Sequence, residues 1–133
     1  MLSIRGLYEI AIPVKDLPRA ELFYREVLGL EVGLRDETRR WVFLRAGGIA
    51  GMVVLQECSG ECPTLHFAFA VDDGGLESAA RALGERGIPT QGPIVHDWIP
   101  GESLYFRDPD GHDLELFAQP QVARPTELWR AGT

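Results

Sequence analysis

The chain is 133 residues long, with 45% hydrophobic residues, 25% charged residues and a formal net charge of −7 at pH 7. This length and composition suit one globular domain with its own core. The acidic charge and the scattered Lys and Arg residues argue against a nucleic-acid partner, because phosphate backbones need a basic face. No apolar run approaches the roughly 20 residues that cross a membrane, which argues against a membrane partner.

The first half of the chain predicts the order strand–helix–strand–strand–strand. Residues 1–5 lack a signal-peptide pattern, so we expect a cytoplasmic protein. Residues 7–14 alternate as a half-buried strand does. A helix begins after Asp16, a suitable N-cap, and ends at Gly29. Three strands are then predicted near 30–36, 40–46 and 49–57.

The second half repeats this order. A strand over 64–71 precedes a helix over roughly 75–86, and strands follow near 90–97, 102–107 and 112–118. Between the last two strands, Asp108-Pro109-Asp110-Gly111 predicts a hairpin turn, because Gly supplies the left-handed residue after a Pro-containing turn. The repeat predicts two βαβββ modules within a single domain. Module one spans about 5–58, module two about 62–119, and a C-terminal tail follows over 120–133.

Two cysteines, Cys58 and Cys62, lie in the segment between the modules. Two thiols with no nearby His or further Cys make a poor zinc site. We expect two reduced thiols in a loop, with a regulatory disulfide as the less favoured alternative.

Three ionisable residues, Glu9, His66 and Glu115, point away from the apolar faces of their predicted strands. Burying two carboxylates and an imidazole without partners is costly. A divalent cation would offset both carboxylates and accept a nitrogen ligand from the imidazole. The pattern alone favours a solvated sheet face, which explains the same alternation, although the alanines that share these faces indicate space for a ligand.

Three segments of the chain carry a resemblance to a known family. They are I-P-V-K-D-L with F-Y-R-E-V-L-G-L (12–17 and 23–30), H-F-A-F-A-V (66–71) and Y-F-R-D-P-D-G-H-D-L-E-L (105–116). From residue 7 to about 120 the chain resembles the vicinal oxygen chelate superfamily. That superfamily holds glyoxalase I, bleomycin-resistance proteins, extradiol dioxygenases, fosfomycin-resistance enzymes and methylmalonyl-CoA epimerase. The resemblance implies an α+β fold of two βαβββ modules that form an open, cupped barrel with the helices outside.

The resemblance also implies a metal centre. By position, its ligands are Glu9, His66 and Glu115, and its ion is a divalent Zn, Ni, Mn, Co or Fe. Glu9 departs from the family pattern, in which His or Gln is more usual. Gln56 is the candidate fourth ligand, although an ungapped match places that position at Val54. Weaker candidates for substrate contacts are Trp41, His96, Trp98, Ser103, Tyr105 and Arg124.

The implied activity is that of an enzyme for a small oxygenated substrate. A lyase or isomerase of glyoxalase type would stabilise an enolate or oxyanion with its metal, and Glu115 or Glu9 would serve as the catalytic base. Metal-free drug binding of the bleomycin-resistance type is the alternative, and the three retained ligand positions argue against it. We also expect a homodimer.

Two further enzyme classes fit the residues less well. An extradiol dioxygenase is weakened by Glu9, because two His and one carboxylate are the usual iron ligands. A fosfomycin transferase is disfavoured because Ala11 and Val95 stand where that enzyme has a threonine and a lysine.

Overall fold

The computed structural model describes residues 2–48, 51–72 and 74–119. This part of the chain contains β1 (Glu9–Val14), α1 (Leu17–Leu22), β2 (Glu31–Asp36), β3 (Trp41–Arg45), β4 (Met52–Glu57), β5 (His66–Val71), α2 (Leu76–Glu85), β6 (Gln91–Val95), β7 (Glu102–Arg107) and β8 (Asp113–Ala118). The order confirms an α+β fold with two βαβββ repeats. Within the described ranges, no helix is long and apolar enough to cross a bilayer.

The chain divides into two compact units. Of the described residues, the first unit comprises those up to Leu65 together with Asp108–His112, and the second comprises those of His66–Arg107 together with those from Asp113 to Gln119. Each unit contains one four-stranded sheet, and neither sheet closes on itself.

The sheet of the first unit has the strand order β1-β4-β3-β2. β1 runs parallel to β4, and the other pairs are antiparallel. Alternation places one set of apolar side chains in the core and leaves Glu9 and Ala11 exposed on the opposite face. The buried residues on the core face of these strands are Ile12, Val14, Val42, Leu44, Val53 and Leu55, and Val54, opposite Ala11 on the other face, is also buried.

The helix of the first unit begins where the sequence predicts. The Asp16 carboxylate accepts a hydrogen bond from Arg19 N at 3.1 Å, which caps α1. A π-helical segment over Phe23–Val27 continues α1 and buries Phe23 and Tyr24. The chain leaves this segment at Gly29, whose φ of 75° is the left-handed conformation that glycine adopts readily.

The sheet of the second unit has the equivalent order, β5-β8-β7-β6. β5 runs parallel to β8, and the other pairs are antiparallel. Leu76 and Leu83 are the buried residues of α2. The buried residues of the strands in this unit are Ser103, Leu104, Phe106, Leu114 and Ala118. His66 and Ala68 lie on an exposed face of the same sheet.

The Asp108–Gly111 segment forms the turn that the sequence predicts. Gly111 N donates to the carbonyl of Asp108 at 3.0 Å, and Asp108 N donates to the carbonyl of His112 at 3.2 Å. The Asp108 carboxylate accepts hydrogen bonds from Asp110 N and His112 N, and its second oxygen accepts one from the Tyr24 hydroxyl at 2.7 Å. Burial, followed by the charge of Asp108, raises the pKa of Tyr24 well above its usual range.

His112 is fully buried and structural. Its Nδ1 accepts a hydrogen bond from Leu65 N at 2.9 Å, so Nε2 carries the proton and donates to the carbonyl of Pro13 at 2.7 Å. The sequence analysis did not single out this histidine, because its partners are main-chain groups far away along the chain.

The expectation of reduced thiols is wrong. Cys58 and Cys62 are joined by a disulfide in the loop after β4. The loop reverses direction at Gly60, whose φ is 78°, and this brings the two Cα atoms to 6.4 Å, within the range that a disulfide spans.

Candidate metal centre

His66 and Glu115 lie together on the exposed face of the second sheet. His66 is the first residue of β5, and Glu115 lies opposite Ala68 in the neighbouring strand β8. The His66 Nε2 and Glu115 Oε1 atoms are 3.2 Å apart. The side chain of His66 is 54% exposed and that of Glu115 is 14% exposed, so an ion or small molecule can reach the pair.

The second nitrogen of His66 determines which atom faces Glu115. His66 Nδ1 lies 3.1 Å from the carbonyl oxygen of Asp113, its β-sheet partner. A carbonyl only accepts hydrogen bonds, so Nδ1 carries the proton. In the neutral ring, Nε2 then presents a lone pair to the Glu115 carboxylate. Two electron-rich atoms at 3.2 Å need a positive charge between them, which is either a second proton on His66 or a cation.

Glu115 is oriented by a different residue. Its Oε2 accepts a hydrogen bond from the Ser103 hydroxyl at 2.7 Å, while Oε1 faces His66. Ser103 is fully buried in β7 and lies between Glu115 and His96. The carboxylate therefore has one oxygen engaged in the fold and one directed to the exposed face.

These two side chains fit a divalent metal ion. A neutral imidazole whose other N–H donates to a main-chain carbonyl is the usual form of a metal-binding histidine. A nitrogen ligand with a carboxylate suits Zn, Mn, Co, Ni or Fe. Among the described residues of the second unit, no third His, Cys, Asp or Glu side chain is grouped with His66 and Glu115.

Glu9 lies in the first unit, at the equivalent strand position. It is the first residue of β1, is exposed and lies opposite Met52 of β4. His66 is likewise the first residue of β5 and lies opposite the first residue of β8, Asp113. The repeat therefore confirms that Glu9 and His66 hold matching positions on the exposed faces of their own sheets.

The register of the first sheet does not bring Gln56 to Glu9. Gln56 lies opposite Pro13, four residues along β4 from Met52. At about 3.3 Å per residue, this is a displacement of about 13 Å along the strands, which is too far for two ligands of one ion. Glu57 lies on the other face, where its carboxylate accepts from Leu17 N, as alternation predicts.

The second unit contains a cavity of about 550 Å³ beside His66. Tyr105, Arg107 and Asp113 line it, together with Pro89, Thr90, Gln91, Phe106 and Leu114. Arg107 Nε donates to the Asp113 carboxylate at 2.9 Å, which orients the guanidinium at the cavity wall. Tyr105 is among the substrate contacts predicted from the sequence. Arg107 and Asp113 are not, although alternation from Ser103 and Glu115 places both on this face.

Two other predicted substrate contacts, Trp41 and Trp98, are not among the residues that line this cavity. Trp41 is half-buried in β3 and contacts Phe43 edge to face, with the Arg39 guanidinium 5.6 Å from its ring centre. Trp98 is 71% exposed and its ring lies 5.4 Å from that of His96. Arg124 lies outside the described residues.

Comparison with known proteins agrees with this fold. A sequence profile of the Glyoxalase/Bleomycin resistance protein/Dioxygenase superfamily matches residues 6–116. The chain is 29% identical over 126 residues to the glutathione transferase FosA of Serratia marcescens, which covers 91% of this chain and 86% of that protein.

Two solved structures extend the comparison. The integron cassette protein HFX_CASS4 from the mobile metagenome of a Halifax Harbour sewage outfall is 46% identical, with a TM-score of 0.82 over 86% of this chain and 99% of that chain. The lactoylglutathione lyase of Agrobacterium tumefaciens is 26% identical, with a TM-score of 0.74 over 86% of this chain and 94% of that chain. The profile match covers most of the described repeat, and the chain therefore belongs to the glyoxalase/bleomycin resistance protein/dioxygenase superfamily.

Proposed function

We propose that this chain is a divalent-metal-dependent enzyme that acts on a small oxygenated substrate as a lyase or isomerase. The proposed ligands are His66, Glu115 and Glu9. The observation that carries the proposal is the pairing of His66 Nε2 with Glu115 Oε1 at 3.2 Å, with each side chain held from behind by a separate hydrogen bond. Glu9 is included because it matches His66 by position in the repeat.

The proposed chemistry divides between the ion and the protein. A bound divalent cation supplies Lewis acidity toward a carbonyl or hydroxyl oxygen of the substrate. The carbonyl of Asp113 keeps His66 in the tautomer that presents Nε2, and Ser103 keeps Glu115 Oε1 directed to the same point. The carboxylate of Glu9 or Glu115 accepts a proton from the carbon next to the substrate carbonyl.

The cavity beside His66 supports binding of a substrate of modest size. Its volume of about 550 Å³ lies within the range of small-molecule sites. Tyr105 contributes a hydroxyl and an aromatic face, and Arg107 contributes a guanidinium held by Asp113. These groups bind and orient the polar end of a substrate whose reacting oxygen lies near His66.

We also propose that the protein is a homodimer. The segment before β1 exposes a series of apolar side chains: Leu2, Ile4 and Leu7 are 84%, 81% and 85% exposed. An exposed apolar segment of this kind is suited to pack against another protein surface, and a second copy of the chain is the proposed partner.

The proposed activity predicts metal-dependent conversion of a thiol conjugate. The hemithioacetal of glutathione and an α-keto aldehyde should rearrange to a thioester in the presence of Zn²⁺, Ni²⁺ or Mn²⁺ and not after chelation, as measured by the growth of thioester absorbance. Glu115→Gln should abolish the conversion, whereas Glu77→Gln, an exposed change in α2, should leave it unchanged. Conversion that persists after chelation would contradict the proposal.

A second candidate reaction is thiol transfer, which the similarity to FosA favours. In that case, glutathione and fosfomycin would form an adduct in the presence of metal, detected by mass spectrometry, and the hemithioacetal would not react. Ala11 and Val95 carry neither the hydroxyl nor the ammonium group expected of such a transferase, and this favours the lyase or isomerase over thiol transfer.

A further inference from the structure

A chain of hydrogen bonds runs from His96 to the proposed metal centre. His96 Nε2 lies 2.7 Å from Ser103 Oγ, and Ser103 Oγ lies 2.7 Å from Glu115 Oε2. Glu115 Oε1 in turn lies 3.2 Å from His66 Nε2. Three of the side chains come from β5, β7 and β8, whose register brings them together, and His96 is the residue after β6.

The chemistry of the groups sets the direction of these bonds. An ionised carboxylate only accepts, so the single hydroxyl proton of Ser103 is donated to Glu115. The lone pairs of Ser103 Oγ then face His96, and His96 Nε2 must carry a proton that it donates to Ser103. The structure therefore requires the Nε2–H tautomer of His96, opposite to the Nδ1–H tautomer of His66.

Contacts of the loop after β6 fix the position of the His96 side chain. His96 N donates to the carbonyl of Gly101 at 3.2 Å, and the centre of the imidazole ring lies 5.4 Å from that of Trp98 and 6.3 Å from that of Phe117. Gly101 is buried, and a Cβ there would lie 2.4 Å from the Phe117 ring. Only glycine lets this loop pack so closely on Phe117.

Burial of Ser103 limits what its hydroxyl can contact. The residue is fully buried, and its Oγ already bonds to both His96 and Glu115. Because the residue is buried, a ligand on the exposed face does not reach this hydroxyl. The hydroxyl therefore acts on Glu115.

We propose that His96 is a positioning residue for the metal centre, which acts through Ser103 to hold Glu115 with Oε2 occupied and Oε1 directed to the cation. This inference rests on the proposed metal site. Mutation of a residue that hydrogen-bonds to a metal ligand typically lowers the metal affinity about 10- to 100-fold. Loss of Ser103 or of the His96 donor should weaken binding by such a factor without removing a ligand.

The first test uses the metal-free protein. The chain has three histidines, so long-range ¹⁵N–¹H correlations of ¹⁵N-histidine-labelled protein give one ring pattern for each. His96 and His112 should both show the Nε2–H tautomer, because each donates through Nε2. Ser103→Ala should change the pattern of His96 and leave that of His112 unchanged. An Nδ1–H tautomer for His96 in the wild-type protein would overturn the inference.

The second test is titration with Zn²⁺ by calorimetry. Ser103→Ala should lower Zn²⁺ affinity about 10- to 100-fold, whereas Ser78→Ala, a change in α2, should have no effect. His96→Gln keeps an N–H donor and should retain more affinity than His96→Leu. If His66→Ala loses Zn²⁺ and Ser103→Ala binds as tightly as wild type, the inference is wrong and the metal site stands. If His66→Ala keeps wild-type affinity, the metal site is wrong and the inference is wrong with it.

Discussion

Asp108→Ala is expected to destabilise the fold by about 4 kcal/mol, because each buried group left without its hydrogen bond costs about 1–3 kcal/mol. The Asp108 carboxylate accepts from the Tyr24 hydroxyl and from two main-chain N–H groups of its own turn. All three donors lose their partner when the side chain is removed. The free energy of unfolding from urea denaturation measures the effect.

A matched control variant separates the effect of the lost Asp108 hydrogen bonds from the effect of losing a negative charge. Asp72→Ala removes an exposed carboxylate for which no side-chain hydrogen bond is found among the described residues, and it should change stability by less than about 0.5 kcal/mol. Tyr24→Phe removes one of the three donors, and its free energy of unfolding should lie between those of Asp108→Ala and Asp72→Ala. Equal stabilities of Asp108→Ala and Asp72→Ala would show that the turn does not depend on the carboxylate.

His66→Ala and Glu115→Gln are expected to lower Zn²⁺ affinity by more than about 100-fold, because removal of a ligand should exceed the 10- to 100-fold effect of a ligand's hydrogen-bond partner. His66 is more than half exposed, so its replacement should leave the fold intact. Glu115→Gln preserves size and removes the charge. Calorimetric titration of the metal-free variants measures the affinity, and circular dichroism confirms that they are folded.

The control for the metal-affinity experiment lies in the same unit. Glu77→Gln changes an exposed carboxylate in the first turn of α2, away from the sheet, and should bind Zn²⁺ as wild type does. A loss of affinity in this variant equal to that of Glu115→Gln would indicate that overall negative charge, and not a ligand, determines binding. Binding at wild-type affinity in both His66→Ala and Glu115→Gln would remove the basis of the proposed function.

The fold could be predicted from the sequence because it depends on local periodicity. Alternation in residues 7–14 and 64–71 identified the strands and the faces that carry Glu9 and His66. The cap at Asp16 and the turn at Asp108–Gly111 were predicted from short-range rules, and both form as expected.

What the sequence did not reveal depends on register and long-range contacts. The pairing of Gln56 with Pro13 follows from the offset between the parallel strands β1 and β4, which alternation does not specify. The bond of His66 to the Asp113 carbonyl and the link from His96 through Ser103 require the register of three strands. The spacing of the two cysteines allowed either redox state, and the structure has them joined by a disulfide.

We propose that His66 and Glu115 bind one divalent cation through Nε2 and Oε1. Anomalous diffraction from crystals grown with Zn²⁺ tests this binding most directly. We expect a peak within about 2.0–2.2 Å of both His66 Nε2 and a Glu115 carboxylate oxygen, with His66 Nδ1 still bonded to the Asp113 carbonyl. A zinc ion bound to His66 through Nδ1, or one bound elsewhere while the His66–Glu115 pair stays in direct contact, would contradict it.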